Sequence, residues 1–296
     1  MPKVCALVIT HNRLDKLKNC LAALAGQEYV PAVVLVVDNA STDGTQSFLA
    51  QTADWPFLLV HERLSENLGG AGGFARGLDL FLQQDCEAVW LMDDDSLPAP
   101  DALRELLAGM ERAAPCKPML AASQVVWQDG NLHPWNIPQP RLHKHARDFA
   151  LVREGLLPVR SASFVSILLT RQAVETYGLP VADYFIYNDD IEYTGRILRR
   201  ETGILCPASV CLHDTARAST TFTLPPERLF FEVRNKLWMI FYSPAWTARE
   251  RVRHGLILCK NILLHLRNVR LLPQTLWAIC RGVGSALRRR PERQAC

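Results

Sequence analysis

The first 112 residues alternate between two hydrophobic patterns. Short, nearly unbroken apolar runs at Lys3–Thr10, Val33–Val37, Phe57–Val60 and Ala88–Met92 predict strands, the first buried and the second covered on both faces. Between them Leu14, Leu17, Leu21 and Leu24 recur at helical spacing, and Gly26 can end that helix. Ser41, Thr42 and Asp43 offer N-cap groups for a short helix. Asn67–Gly77 opens a helix that runs to about Gln84, and another spans about Asp101 to Arg112. Alternation of this kind predicts a mainly parallel sheet with helices on both faces. Ligands then bind beyond the carboxyl ends of the strands. Thr10, Asn12, Arg13, Asp38, Asn39 and Asp93–Asp95 stand at three such ends.

From about residue 115 the pattern loosens. Pro134, Pro138, Pro140 and Pro158, with three histidines, predict a long loop region over 128–160. Ser161–Thr170 is read as a strand and Leu205–His213 as an extended stretch. Asp189–Arg200 is read as a helix with acids in its first turn and arginines in its last, as the helix dipole favours. Pro225-Pro226 marks a break, and helices are expected from Glu227 onward.

Composition narrows the class. Of 296 residues 49% are apolar and 21% charged, enough to bury a core and too apolar for wholesale disorder. No 20–50-residue period repeats, and no 18-residue uncharged apolar run could span a bilayer. The opening MPKVCALVITHNR is read as a buried strand rather than a leader. Nine cysteines without a C-x-x-C pair argue against a disulfide framework and a thiolate zinc site, and for a reducing, cytoplasmic setting. The net charge of +3 hides an asymmetry. Residues 249–296 carry 11 Lys and Arg against 2 Asp and Glu, and the rest of the chain carries 22 against 28. Within that basic tail Val252, Leu256, Cys259, Leu263 and Leu266 recur at helical spacing, with Arg253, Lys260 and Arg267 every seven residues beside them. Such a helix suits an anionic membrane surface, or else packs on protein with a solvated charged rim.

Three segments carry candidate chemistry. Asp93-Asp94-Asp95 sets three carboxylates at a strand end, where they repel unless something positive joins them. In an extended chain Asp93 and Asp95 point the same way and could chelate a hard divalent cation; the plain alternative is an acidic turn capping the next helix. Asp38 at a strand tip is placed to accept hydrogen bonds from a ribose or base, or simply to cap a turn. Gly70-Ala71-Gly72-Gly73-Phe74-Ala75 fits a dinucleotide fingerprint superficially. It follows its strand by eight residues rather than directly, which argues against an NAD site while still permitting phosphate approach. Asn188-Asp189-Asp190-Ile191-Glu192 opens a helix with acids that either serve its dipole or supply a general base.

In order, Val8–Arg13, Val37–Thr45, Asn67–Phe74, Asp93–Asp95, Asn188–Glu192 and His213 resemble an inverting family 2 glycosyltransferase of the GT-A fold, over roughly residues 3–240. They are most like galactofuranosyltransferases, with rhamnosyltransferases of polysaccharide pathways such as O-antigen synthesis close behind. The resemblance implies a Rossmann-like GT-A domain over 1–240 and a basic helical region over 241–296. It implies that Thr10, Arg13, Asp38, Asn67, Gly70, Asp93 and Asp94 hold the donor. It implies that Asp93, Asp95 and His213 bind Mn2+ or Mg2+. Asp190 would be the base, with Asp189 or Glu192 orienting the acceptor; many relatives have Glu-Asp where this chain has Asp189-Asp190. The expected donor is UDP-galactofuranose, with dTDP-rhamnose the alternative. The expected acceptor is a glycan hydroxyl on a lipid carrier, at the cytoplasmic face of the inner membrane. No nucleic acid partner is expected. Rivals of other classes are an NAD-dependent oxidoreductase and a non-catalytic glycan- or membrane-binding protein.

Overall fold

The computed structural model describes residues 2–51, 54–141, 146–215, 224–268 and 272–292. His143, His145 and the last four tail residues lie outside them.

Strand β1 (Val4–Thr10) is buried at every position, and its side chains divide with the two-residue period of a strand. Cys5, Leu7 and Ile9 enter one core with Phe74 and Leu78 of α3 (Gly69–Leu82). Val4, Ala6 and Val8 enter the other with Leu17, Leu21 and Leu24 of α1 (Leu14–Ala25). Each Val, Leu, Ile and Phe among them contributes about 1.5–3 kcal/mol on burial, so the strand's polar end is held from both faces. Strands β2 (Val33–Asp38), β3 (Leu58–Arg63) and β4 (Ala88–Asp93) pair in parallel with β1 or its neighbour. The short α2 (Thr45–Leu49) follows β2.

The loosely patterned half is more ordered than the sequence predicts. After β5 (Ser96–Pro98) and the expected α4 (Ala102–Arg112), it supplies β6 (Pro118–Val126), β7 (Gln139–Pro140), α5 (Ala146–Arg153), β8 (Leu157–Ser161), β9 (Ile167–Thr170) and α6 (Arg171–Tyr177). Of these, α5 and β7 fall inside the predicted loop region, β8 begins in it and ends on Ser161, and β9 is only the last part of the predicted Ser161–Thr170 strand. Helix α7 (Asp189–Leu198) and strand β10 (Thr202–His213) follow. The sheet runs β3-β2-β1-β4-β9-β6-β10-β8-β7, with β5 paired to β10. Strand β9 is antiparallel to both neighbours, so the sheet is mixed rather than parallel throughout.

Helices α8 (Pro226–Phe241), α9 (Ala248–Asn268) and α10 (Leu272–Arg288) form a layer of their own. Val233 and Ile240 of α8 share an apolar cluster with Leu258 and Ile262 of α9 and Ile279 of α10, so this layer begins at α8. Helix α9 buries His254, Leu258 and His265, which leaves the predicted stripe facing outward: Val252 is 65% exposed, and Leu256 and Leu263 are each 67% exposed.

Candidate active site

Four chain segments meet at the carboxyl end of the sheet. Parallel pairing sets Ile9 opposite Asp93, so the end of β1 lies beside the acidic turn after β4. Antiparallel pairing of β5 with β10 sets His213 opposite Ser96, next to Asp95 although 118 residues away in sequence. One ligand atom from each of Asp93, Asp95 and His213 falls within 4.8 Å of the others, the spacing of a cation site. Two hard carboxylates and an imidazole suit Mn2+, and suit Mg2+ less because of the nitrogen.

The electrostatics of this cluster call for a cation. Burial, then Asp95 and Asp94, push the Asp93 carboxyl well above its ordinary range. Asp95 moves the opposite way despite its burial, because His213 and Arg13 stabilise its charge. Arg13 Nη1 donates to Asp95 at 2.8 Å and to Asp94 at 3.2 Å. His133 lies with its ring centroid 4.9 Å from that of His213, and burial holds its pKa down to about 4. It is therefore neutral at pH 7 and adds no repulsion beside the cation site.

Thr10 and Asp94, both expected on the donor, are buried and bonded to each other at 2.8 Å. Asp94 also accepts from Arg13, so the pair helps to position that guanidinium. Asp38 is 1% exposed and accepts from the Ser41 backbone through Oδ1. Its Oδ2 accepts no hydrogen bond among the described residues, and Arg63 Nε stands 3.6 Å away. A buried carboxylate oxygen left this way costs free energy unless a hydroxyl or amide reaches it, which fits a nucleoside. Asn67 is exposed and spends its Oδ1 on the Gly69 backbone, ordering the start of α3. Gly70 has open space where a side chain would be.

The glycines of α3 mainly serve packing. A Cβ on Gly77 would sit 2.4 Å from Leu7 Cδ1, and one on Gly73 would sit 2.6 Å from Ile9 Cγ2. They let the helix lie close on β1. The segment is not the tight phosphate turn that a dinucleotide site needs, so the NAD reading loses its main support.

Asp189 and Asp190 open α7 beneath a strained turn. Phe185, Tyr187 and Asn188 all have positive φ, at 63°, 68° and 65°. Such backbone costs of order 1–3 kcal/mol per residue and persists only where the surroundings hold it. Here Asn235 of α8, fully buried, donates to the Tyr184, Ile186 and Tyr187 carbonyls at 2.7–2.9 Å, and Asn188 donates to Glu232 at 2.7 Å. Asp190 is the more open acid. Burial raises its pKa to about 6, against the pull of the Ile191 amide and Lys236. Asp189 is buried, and burial with Asp190 and Asp93 pushes it well above the carboxylate range. Asp190 is also among the charges that raise Asp93, after burial, Asp95 and Asp94, so it lies within electrostatic reach of that cluster. Glu192 does not join them. Its carboxylate is held by Ser243 at 2.7 Å and Arg196 at 3.2 Å, so its work is to tie α7 to the turn after α8.

Sequence reasoning missed Arg63, Asn136, Glu232 and Asn235. The last two left one trace: polar residues three apart, Glu232 and Asn235, on the face of α8 that carries Leu229 and Val233.

A model of the family described as Glycosyl transferase family 2 matches residues 5–174. The galactofuranosyltransferase GlfT1 of Mycolicibacterium smegmatis is 30% identical over 225 residues, covering 71% of this chain and 68% of the relative. Among solved structures, S. aureus TarS 1–349 in complex with UDP-GlcNAc superposes with a TM-score of 0.62 at 17% identity, over 96% of this chain and 81% of that one. Of a longer TarS chain it spans 49%. The mannosyltransferase PcManGT of Pyrobaculum calidifontis, in complex with GDP-Man and Mn2+, gives 0.58 at 20% identity, over 96% and 76%.

Proposed function

The chain belongs to glycosyl transferase family 2 and is a glycosyltransferase with a GT-A fold, and on that premise we propose that it moves galactofuranose from UDP-galactofuranose to a glycan hydroxyl with inversion. The observation that carries this reading is the cluster of Asp93, Asp95 and His213 at the carboxyl end of the sheet, with Asp190 of α7 within electrostatic reach of it. Asp38 Oδ2 would receive the nucleoside, and Arg13 would stand beside the diphosphate. Asp93, Asp95 and His213 would hold Mn2+ or Mg2+, which when bound supplies positive charge against the departing diphosphate. Asp190 takes the acceptor's proton as the hydroxyl oxygen bonds to the anomeric carbon and the bond from that carbon to the diphosphate breaks. A sugar in a pyranose form, or dTDP-rhamnose, meets the same charges, so the support for this donor is the galactofuranosyltransferase likeness. Purified enzyme assayed for nucleotide release with a glycan acceptor should turn over UDP-galactofuranose with Mn2+ faster than UDP-galactose or dTDP-rhamnose. Preference for dTDP-rhamnose would reassign the donor.

The acceptor is proposed to be lipid-linked, and the helical layer supports this. Helix α10 exposes Leu276, Cys280, Val283 and Leu287 at the same spacing as the exposed Val252, Leu256, Cys259 and Leu263 of α9. Exposed Arg253, Lys260, Arg267 and Arg281 accompany them. Two copies meeting here would bring like charges together, whereas anionic headgroups satisfy both the rim and the stripes. No described helix is long and apolar enough to cross a membrane. Flotation with phosphatidylglycerol vesicles should carry the wild type, and the Leu256→Glu/Leu263→Glu double variant should stay behind. If the variant instead abolishes a dimer and leaves flotation intact, the stripe belongs to a second copy.

A further inference from the structure

We infer that Asn136 is a positioning residue that sets the His213 tautomer competent to bind a divalent cation. The inference rests on the metal reading above and goes beyond it in naming what prepares the ligand. Asn136 is buried in the segment between β6 and β7, read from sequence as loop. Neighbouring Trp135 packs edge-on against Tyr187, at 5.4 Å between centroids, which anchors this segment to the strained turn before α7.

Asn136 Oδ1 stands 2.9 Å from His213 Nδ1, and its Nδ2 donates to Ser163 Oγ at 2.9 Å. An amide oxygen only accepts, so Nδ1 carries the hydrogen of the neutral ring. Nε2 is then left with its lone pair, 3.1 Å from Asp95 Oδ1, which is also an acceptor. A proton or a cation must join them: a proton there stabilises the Asp95 charge, and a bound cation takes its place. The third member, Asp93, lies in the same cluster. With the amide reversed, Nε2 would carry the hydrogen, donate it to Asp95 and be closed to a metal. Holding a ligand imidazole through its other nitrogen fixes its orientation and raises its basicity, and loss of such a partner costs about 10–100-fold in metal affinity.

The test is a Mn2+ titration in the presence of saturating UDP, read as the EPR signal of the free ion. Asn136→Ala should weaken Mn2+ by about 10–100-fold. Asn136→Asp keeps an acceptor for Nδ1 and should retain most of the affinity. In a His213→Ala background Asn136→Ala should cost nothing further, because the residue acts through that ring. An equal loss in both backgrounds means that Asn136 only shapes the segment, and overturns the inference, as does wild-type affinity in Asn136→Ala. A wild-type protein that binds no Mn2+ overturns the metal reading and this inference with it.

Discussion

Asp190→Asn should lower turnover by roughly 10²–10⁴-fold while UDP and Mn2+ still bind. The substitution keeps the size of the side chain and an acceptor for the Ile191 amide, which lies 2.7 Å from Asp190 Oδ1, but cannot take a proton. A carboxylate acting only on the helix dipole is worth under about 1 kcal/mol, too little for such a loss. The pH profile gives the same residue a second signature. Its pKa, raised to about 6, leaves it mostly ionised at neutral pH and protonated below, so the rate should fall as pH drops through about 6. That limb should vanish in Asp190→Asn. Near-normal turnover there, with collapse in Asp189→Asn, would move the role one residue back. Near-normal turnover in both would remove α7 from the mechanism.

Asp93→Ala or Asp95→Ala should abolish Mn2+-dependent donor binding, with a smaller loss in His213→Ala because a neutral imidazole brings no charge. Full activity after EDTA dialysis, with no metal restored, would overturn the assignment. Stability should move the other way for Asp93. Its folded pKa lies above the unfolded value, so ionisation costs stability as pH rises from the ordinary carboxylate range toward that raised value. Metal-free Asp93→Asn should therefore melt higher than metal-free wild type at pH 7.5. Added Mn2+ should raise the melting temperature of the wild type and leave that of the variant nearly unchanged. A variant less stable than wild type without metal would show that this carboxylate is paired in some other way.

The central strands β1 and β2, the helix between them, and the three strand ends that carry Arg13, Asp38 and Asp93–Asp95 were legible in the sequence. A strand covered on both faces must be apolar throughout, and a polar residue that breaks such a run marks where the crevice begins. The order of motifs was legible too, and with it the family. The site's assembly was not. His213 reaches Asp95 only through the register of β10 on β5, and β8 exists because β10 pairs with it. The Pro-rich stretch hid that strand and hid Asn136 with it, since the bonds that order them are made to residues remote in sequence. The bond between Thr10 and Asp94 was not legible either, because only packing decides which neighbour a polar atom meets. Helix α9 shows the same division. Its periodicity declared an apolar stripe, but the helix has apolar residues on two sides, and contact with α8 selected Leu258 over Leu256 for burial. Periodicity is a property of neighbouring residues along one chain segment, whereas facing direction depends on what the rest of the fold brings against it.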